Sequence, residues 1–532
     1  MLGSGAMTNP ISDVLKSETI LVTGSNTTVT HPIFANYIKE AVHKNGANLI
    51  VIDPRRIDLV DYADLWLRPK LGTDIALING FIHIILKENL HAADYIRERT
   101  EGFEELRSVV EKYTPEYVSA ITGIPTADLA AAARMYGKAT PASILYTMGI
   151  TQHVRGTDTV KSLASLAMLC GNVGVEGGGI NPLRGQNNVQ GACDMGALPN
   201  VFTGYQNVAS DDSRDKFSRA WGASLSGRPG LTIMEIMHAA AEEKIKGLYI
   251  IGENPLLSDP DLSHVKAAIE KLDFLVVQDI FLTETAKMAD IVFPATSFAE
   301  KDGTFTNSER IVQRVRRAVP PPGEAKPDWE IIARLAGRLG FPMEYGKPQD
   351  IMKEIAELTP SYRGITYERI EKEGIAWPCP TLDHPGTRFL HKDVFVRGKG
   401  LFQGIEYSDP DESPDAEYPL KLTTGRVLYH YHTGSMTRTG KAMNERCPES
   451  LLEINPVDAK KLGIENGSLI TVTSRRGKVK VKADVTDRSP EGTVFMNFHF
   501  WEAPVNLLTN PALDPVAKIP EYKVCAVKVE AA

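Results

Sequence analysis

The 532-residue chain has no run of 18 apolar residues, about the length a membrane-crossing helix needs. Its opening, MLGSGAMTNPISDV, lacks the basic stretch and apolar core of a signal peptide. Cationic excess is missing as well: 59 Lys and Arg stand against 67 Asp and Glu, a formal net charge of -8. That balance excludes the basic face which nucleic acid or an anionic membrane surface requires. There are only five cysteines, Cys170, Cys193, Cys379, Cys447 and Cys525, with no CxxC and no close pair. Neither a zinc site nor an iron–sulfur cluster is encoded in them, and plain thiols of a reducing compartment are expected. With 42% hydrophobic and 24% charged residues the rest is ordinary globular composition, long enough for about three or four domains.

What is present repeats. Residues 19–69 run through TILVTG, SNTTVTHP, an amphipathic IFANYIKEAVHKNG, a buried-strand run NLIVID and ADLWLRP. Short apolar runs alternating with helices of this length make βαβ units and a parallel sheet. Residues 246–295 follow the same plan with KGLYIIG, ENPLLSDPDLS, HVKAAIEKL, DFLVVQD and TAKMADIVFPA. Gly24-Ser25-Asn26 corresponds to Gly252-Glu253-Asn254. Asp53 lies 29 residues after Gly24, Asp279 lies 27 after Gly252, and Ala63-Asp64 and Ala289-Asp290 each begin 10 residues after those aspartates. A Gly turn after the first strand offers N–H groups to a phosphate, and an Asp after the second offers a carboxylate to a ribose or base. Neither half contains GxGxxG, and Gly and Asp at strand ends are common in α/β proteins of any function. Two matched halves favour two nucleotide-bearing ligands bound pseudo-symmetrically.

A third strand–turn–helix, ASILYTMGITQHVRGTDTVKSLASLAMLCGNVG, places Gly149 and Gln152 at an equivalent strand end and runs into GVEGGGINPLRGQNNVQGACDMG. That loop of glycines and amides, with the lone Arg184, is therefore expected at the C-terminal edge of a sheet, where open α/β folds bind ligands. A guanidinium forks onto a carboxylate better than a lysine does. Taken alone, Arg184 is equally a solvated loop charge or a phosphate clamp. VPPPGEAKPDW and GIEYSDPDESPDAEYP (404–419) read as boundaries, and beyond them short alternating runs with Gly turns, such as SLITVTSRRGKVKVKADV, indicate a small barrel with one helix. The expected fold is α/β: two related doubly wound parallel-sheet domains, 1–187 and 188–400, a linker at 401–415, and a C-terminal mostly-β barrel at 416–532.

GGGINPLRGQNNVQGACDMG, INPVDAKKLGIENGSLITVTSRRGKV and EYKVCAVKV resemble the catalytic subunit of the molybdenum- or tungsten-dependent formate dehydrogenases, bis-molybdopterin guanine dinucleotide oxidoreductases, over the whole chain. The resemblance implies oxidation of formate to CO2, or the reverse, with a cofactor taking the electron pair that no side chain accepts. It implies Arg184 as the substrate anchor with Gln186 beside it. One dinucleotide would be lined by Gly24, Asn26, His31, Asp53, Arg55, Gly72 and Asp74. Gly149, Gln152, Gly252, Asn254, Gln278, Asp279 and Asp328 would serve either dinucleotide, and the barrel would add Arg426, His430, Asn506, Tyr522 and Lys523. As bare residues, His31 is also a helix-start residue, His430 and Lys523 are also capping or packing residues, and His153, His499 and Cys193 read as structural. No metal ligand is nameable.

One departure stands out. The family's metal-binding Cys or selenocysteine with its His, and its iron–sulfur segment, precede the position matching Gly3, so the second α/β domain would be completed by residues N-terminal to Met1. The expectation is that Met1 is a start placed downstream of an in-frame UGA, that the 532 residues alone are inactive, and that an iron–sulfur protein or segment takes the electrons. Cytoplasmic location, without a membrane span or nucleic acid, is expected with them. Three alternatives stay open: a non-catalytic cofactor carrier that begins at Met1, another molybdenum or tungsten bispterin oxidoreductase, and a nicotinamide-dependent dehydrogenase.

Overall fold

Five apolar runs in the first 182 residues become one parallel sheet in the computed structural model, which describes residues 1–532. Its strands are β1 (Thr19–Thr23), β2 (Asn48–Ile52), β3 (Leu65–Leu67), β4 (Ala142–Tyr146) and β5 (Ile180–Pro182). Their order is β3-β2-β1-β4-β5 and every pairing is parallel. Such a sheet must bury both faces, and the strands are apolar on both. Leu21, Ile50, Ile52 and Ile144 share a core with the helix Asp74–Lys87 on one side. Ile20, Val22, Leu49, Val51 and Leu145 pack with Phe34 and Ile38 of the helix Pro32–Asn45 on the other. That second helix starts on a proline and stops at Gly46, which takes the left-handed conformation at φ 73°.

The chain divides into two units, Met1–Gly185 with Phe389–Ala532, and Gln186–Arg388. In the second, β6 (Gly247–Ile251), β7 (Phe274–Asp279) and β8 (Ile291–Pro294) form a parallel sheet in the order β8-β7-β6. Its core lies on one face, where Leu275 and Val277 meet Val265, Ala268 and Ile269 of the helix Leu262–Glu270. The repeat seen in the sequence is a repeat of hydrogen bonds. Gly24 N–H donates to the Ile52 carbonyl at 3.0 Å, and Gly252 N–H to that of Gln278 at 2.8 Å. Asp64 Oδ2 accepts from Leu49 N–H at 2.8 Å, and Asp290 Oδ2 from Leu275 N–H at 2.7 Å. The halves differ in cover. Leu21 and Leu67 are 1% exposed, whereas Tyr249, Ile251, Phe274 and Ile291 of the second sheet are 36–47% exposed.

Within the first unit, residues 389–415 are strapped to the α/β domain. Gly400–Leu401 pairs with Thr100–Glu101, the Ile405 carbonyl accepts from Asn79 Nδ2 at 2.8 Å, and Glu406 accepts from the Tyr113 hydroxyl at 2.8 Å. The barrel follows, with β9 (Leu420–Gly425), β10 (Leu451–Ile454), β11 (Leu469–Thr473), β12 (Lys478–Val485), β13 (Thr493–Asn497) and β14 (Cys525–Ala531). It closes in the order β9-β13-β10-β12-β11-β14, with two parallel pairs, β9–β13 and β10–β12. Alternation along β12 turns Val479, Val481 and Ala483 inward beside Leu422, Ile454, Ile470 and Val527. No helix of the chain is long and apolar enough to cross a membrane.

Candidate cofactor and substrate site

The first sheet changes direction between β1 and β4: the chain builds outward from β1 through β2 to β3, then returns beside β1 and continues to β5. Ligands of open α/β sheets lie at such a point. Here the backbones of Gly24 and Gly149 touch. The Gly24 carbonyl accepts from Gly149 N–H at 3.0 Å and from Thr147 Oγ1 at 2.7 Å. A Cβ on Gly149 would stand 2.5–2.8 Å from the Gly24 backbone, so no larger residue fits there. Gln152 closes the short turn that follows, its N–H donating to the Met148 carbonyl at 3.0 Å. Asn26 opens the equivalent turn after β1, its carbonyl accepting from Thr30 N–H at 3.0 Å.

Charged groups gather at this edge from three parts of the first unit. Asp53 ends β2, and its Oδ1 accepts from Arg55 N–H at 2.9 Å. Burial pushes the Asp53 carboxyl up to about 6, with Arg55 opposing and Asp74 adding to the rise. Asp74, the first residue of its helix, is also raised by burial, with His153 opposing. From the barrel, Lys523 donates from Nζ to the Thr424 carbonyl at 2.6 Å; burial lowers it to about 7, helped by Arg426 and opposed by Asp53. Arg426, also lowered by burial, makes a ring contact with Phe498 at 5.7 Å and no hydrogen bond within the chain. Two desolvated carboxylates and two desolvated cations, only partly matched to one another, suit a ligand carrying phosphate together with hydroxyl or N–H donors.

Other residues expected at the site are placed as follows. The Arg55 guanidinium is engaged by Glu453, Nε and Nη2 donating at 2.6 and 2.5 Å, and lies 4.2 Å from the Phe495 ring centre. Gly72, at φ 82°, packs on Pro410, whose Cγ would be 2.4 Å from a Cβ. Tyr522 gives its carbonyl to Thr424 Oγ1 at 2.9 Å, and Asn506 is buried in the turn Val505–Leu507. His430 donates from Nε2 to the Cys447 carbonyl at 2.7 Å and meets Thr437 Oγ1 at 3.2 Å through Nδ1. His499 accepts Val427 N–H at 2.9 Å and bonds the His432 carbonyl, burial pushing it down to about 3, so it is a neutral tie between loops. His153 donates from Nε2 to the Gly149 carbonyl at 2.9 Å. Cys193 is half-buried, and all five cysteines are free thiols.

Arg184 follows β5 in the first unit. Leu183 before it is buried, with its N–H donating to the Tyr146 carbonyl at 2.9 Å. The Arg184 carbonyl accepts from His31 Nε2 at 2.7 Å, His31 Nδ1 meets Thr30 Oγ1 at 2.8 Å, and Arg184 Nη2 donates to the Gly5 carbonyl at 3.3 Å. Burial lowers the His31 pKa. A Cβ on Gly185 would stand 3.1 Å from both terminal nitrogens of Arg426.

Gln186 begins the second unit. There Asn188, at φ 59°, accepts Thr306 N–H on Oδ1 at 2.9 Å. Asp194, fully buried, accepts from Gln190 Nε2, the Tyr205 and Tyr362 hydroxyls and Trp377 Nε1 at 2.5–2.8 Å. Gln278 donates to Asp328 Oδ1 at 2.8 Å and bonds the Tyr249 hydroxyl, while Asp328 also pairs with Lys301. Asn254 Oδ1 accepts Thr285 Oγ1 at 2.7 Å, beside Gly252 at φ 64°. Asp279 caps its own strand end, accepting Ile280 N–H at 2.6 Å and Phe281 N–H at 3.2 Å on Oδ1, and burial raises its carboxyl. Glu453 and Asp194 escaped the sequence-based expectation. For Glu453 the available signal was an acid inside an apolar strand, LLEI, since a buried charge needs a partner.

Comparison with known proteins agrees with this geometry. Residues 2–338 match the model of the molybdopterin oxidoreductase family, and residues 420–526 that of the molydopterin dinucleotide binding domain. The chain is 54% identical over 532 residues to the F420-dependent formate dehydrogenase subunit alpha of Methanocaldococcus jannaschii, covering 99% of this chain and 78% of that protein. It is 45% identical to formate dehydrogenase H of Escherichia coli, with 99% and 75% covered, and 38% identical to the assimilatory nitrate reductase catalytic subunit of Bacillus subtilis, with 98% and 76% covered. Among solved structures, acetylene hydratase from Pelobacter acetylenicus superposes with a TM-score of 0.78 at 21% identity, over 100% of this chain and 80% of that one, a likeness of fold. The chain belongs to the molybdopterin oxidoreductases, among the alpha subunits of the formate dehydrogenases.

Proposed function

We propose that this subunit interconverts formate and CO2 and that Arg184 binds the formate carboxylate, with Gln186 beside it. The observation that supports this best is the fixed seat of Arg184 at a strand end of the doubly wound sheet, beside the unpaired Arg426. Formate is a small monoanion, and the planar fork of a guanidinium meets both its oxygens at once. A bis-molybdopterin guanine dinucleotide, carrying molybdenum or tungsten, supplies the two-electron acceptor that side chains lack. Its dinucleotides would be held by Gly24, Asp53, Asp74, Arg426 and Lys523 in the first half, and by Gly252, Asn254, Gln278, Asp279 and Asp328 in the second. Arg426 and Lys523 fit phosphate, and the raised carboxyls of Asp53 and Asp279 accept from hydroxyl or base N–H groups. An iron–sulfur protein or subunit takes the electrons, in a reducing cytoplasm where free thiols persist.

The test is formate-dependent dye reduction by the cofactor-loaded enzyme and its Arg184→Lys variant. One bidentate contact becomes a single point contact, so kcat/KM should fall by about tenfold or more, the worth of a hydrogen bond to a charged group. Unchanged formate kinetics in that variant would remove Arg184 from the substrate. Nitrate is a planar monoanion too, and turnover of nitrate without formate would replace the reading with nitrate reduction.

A further inference from the structure

A guanidinium on a long, flexible stem orients a substrate only if its backbone is fixed. The chain on either side of Arg184 is fixed. Leu183 is 4% exposed and bonded to Tyr146, and Gly185 leaves room for the Arg426 guanidinium and for no side chain larger than hydrogen without displacement. Between them, the Arg184 carbonyl points to His31, 153 residues away in sequence. A carbonyl only accepts, so His31 Nε2 carries the proton, and Nδ1 faces the Thr30 hydroxyl at 2.8 Å, whose one proton it shares with the Asn26 carbonyl at 3.1 Å. Both ring nitrogens are thereby occupied by the chain itself, and neither is left for a cofactor.

We propose that His31 is a positioning residue for Arg184: it holds the carbonyl of the substrate-binding arginine through its Nε2–H tautomer, which the Thr30 hydroxyl at Nδ1 supports. This rests on the assignment of Arg184 to formate. It departs from the role in lining a dinucleotide that the family resemblance implies for His31. His31 touches neither substrate nor electrons; its effect reaches formate through the aim of Arg184.

The experiment compares wild type, His31→Phe, His31→Gln, Thr30→Val and Arg184→Lys as cofactor-loaded enzymes. It reads formate KM and kcat, guanine nucleotide released per chain, and hydrogen exchange of the peptide spanning residues 180–188. His31→Phe should raise formate KM by about two- to tenfold, the worth of one hydrogen bond, with kcat at saturating formate and guanine content near wild type. Exchange across 180–188 should quicken. Glutamine, whose amide also donates, should recover most of the loss, and Thr30→Val should show a smaller shift of the same kind. A wild-type KM in His31→Phe, while Arg184→Lys is impaired, would overturn the proposal. So would a loss of guanine nucleotide matching the loss of activity, because His31 would then be a cofactor contact. If Arg184→Lys itself leaves formate kinetics unchanged, the anchoring role falls separately. Exchange then decides for His31: quickened in His31→Phe it sustains the hold on the Arg184 backbone, and unchanged it ends it.

Discussion

Replacing Lys523 with Met keeps a long, unbranched side chain and removes its charge. Burial brings the ammonium down to about 7 from its ordinary value of about 10.4. Between those two values the folded chain binds fewer protons than the unfolded one, so the wild-type fold gains stability as the pH rises through that window. At and below pH about 7 it bears the full cost of the buried charge. At about 1.4 kcal/mol per unit, that cost is on the order of 5 kcal/mol at most. Methionine escapes it but loses the bond from Nζ to the Thr424 carbonyl at 2.6 Å. A buried carbonyl left without its donor costs about 1–3 kcal/mol. The two effects oppose each other and only the first depends on pH. Cofactor-free Lys523→Met should therefore melt above wild type near pH 6 and below it near pH 10. Circular dichroism melts at one fixed scan rate, run on both proteins at pH 6, 8 and 10, measure the crossing. A difference of constant sign across that range would refute a desolvated ammonium at the switch point. In the loaded enzyme the same variant should retain less guanine nucleotide, stability having been exchanged for binding.

Glu453→Gln strips the buried Arg55 guanidinium of its carboxylate and should cost up to about 3–5 kcal/mol, read as a drop in melting temperature; Arg55→Met with Glu453→Leu should recover most of it, and a single variant that melts like wild type would show the pair to be idle. Gly149→Ala drives a Cβ to within 2.5–2.8 Å of the Gly24 backbone and should cost about 1–3 kcal/mol along with nucleotide content, and a neutral result would contradict the close approach of those two turns. Asp279→Ala should leave the apo fold soluble while guanine content falls toward half, and full occupancy would make the repeat purely architectural.

Much of the fold was legible because burial writes a period into sequence. NLIVID is apolar at every position since both faces of its strand are covered, and KVKVKADV alternates since one face of the barrel is wet. Glycines at 24, 149 and 252 marked strand ends because positive φ or a close backbone approach forbids other residues there. The partners of the charged residues were not legible. Arg55 and Glu453 are 398 residues apart, His31 and Arg184 are 153 apart, and no local pattern encodes which distant acid meets which base. The resemblance implied Arg55 as a cofactor contact, and nothing near it in sequence announced that its guanidinium is engaged by Glu453 of the barrel. The limits of the second unit were blurred for a similar reason: Gly400–Leu401 carries no strand signal until Thr100–Glu101 is beside it.

The matched spacing of the two halves is weak functional evidence by itself, and the structure shows why. Gly24 and Gly252, Asp64 and Asp290 make the same bonds within their own halves; a βαβ scaffold needs them whether or not a ligand is present. Even Asp53 and Asp279 each spend one carboxylate oxygen on an N–H of the residue two places on. Functional information therefore resides in what the scaffold does not require. In the first half that surplus is charge: Asp53 faces Lys523 and Asp74, and Arg426 stands unpaired beside the turn that carries Arg184. The second half carries less of it: Asp328 is matched by Lys301 and bonded by Gln278, and what stays unmatched is a pair of carboxyls, Asp259 and Asp279, that burial raises. Desolvated and unmatched charge destabilises a fold, so a chain that keeps four such groups at one sheet edge is built around a ligand that completes them. By that criterion the first half is the seat whose loss of ligand should be felt most strongly in the stability of the whole subunit.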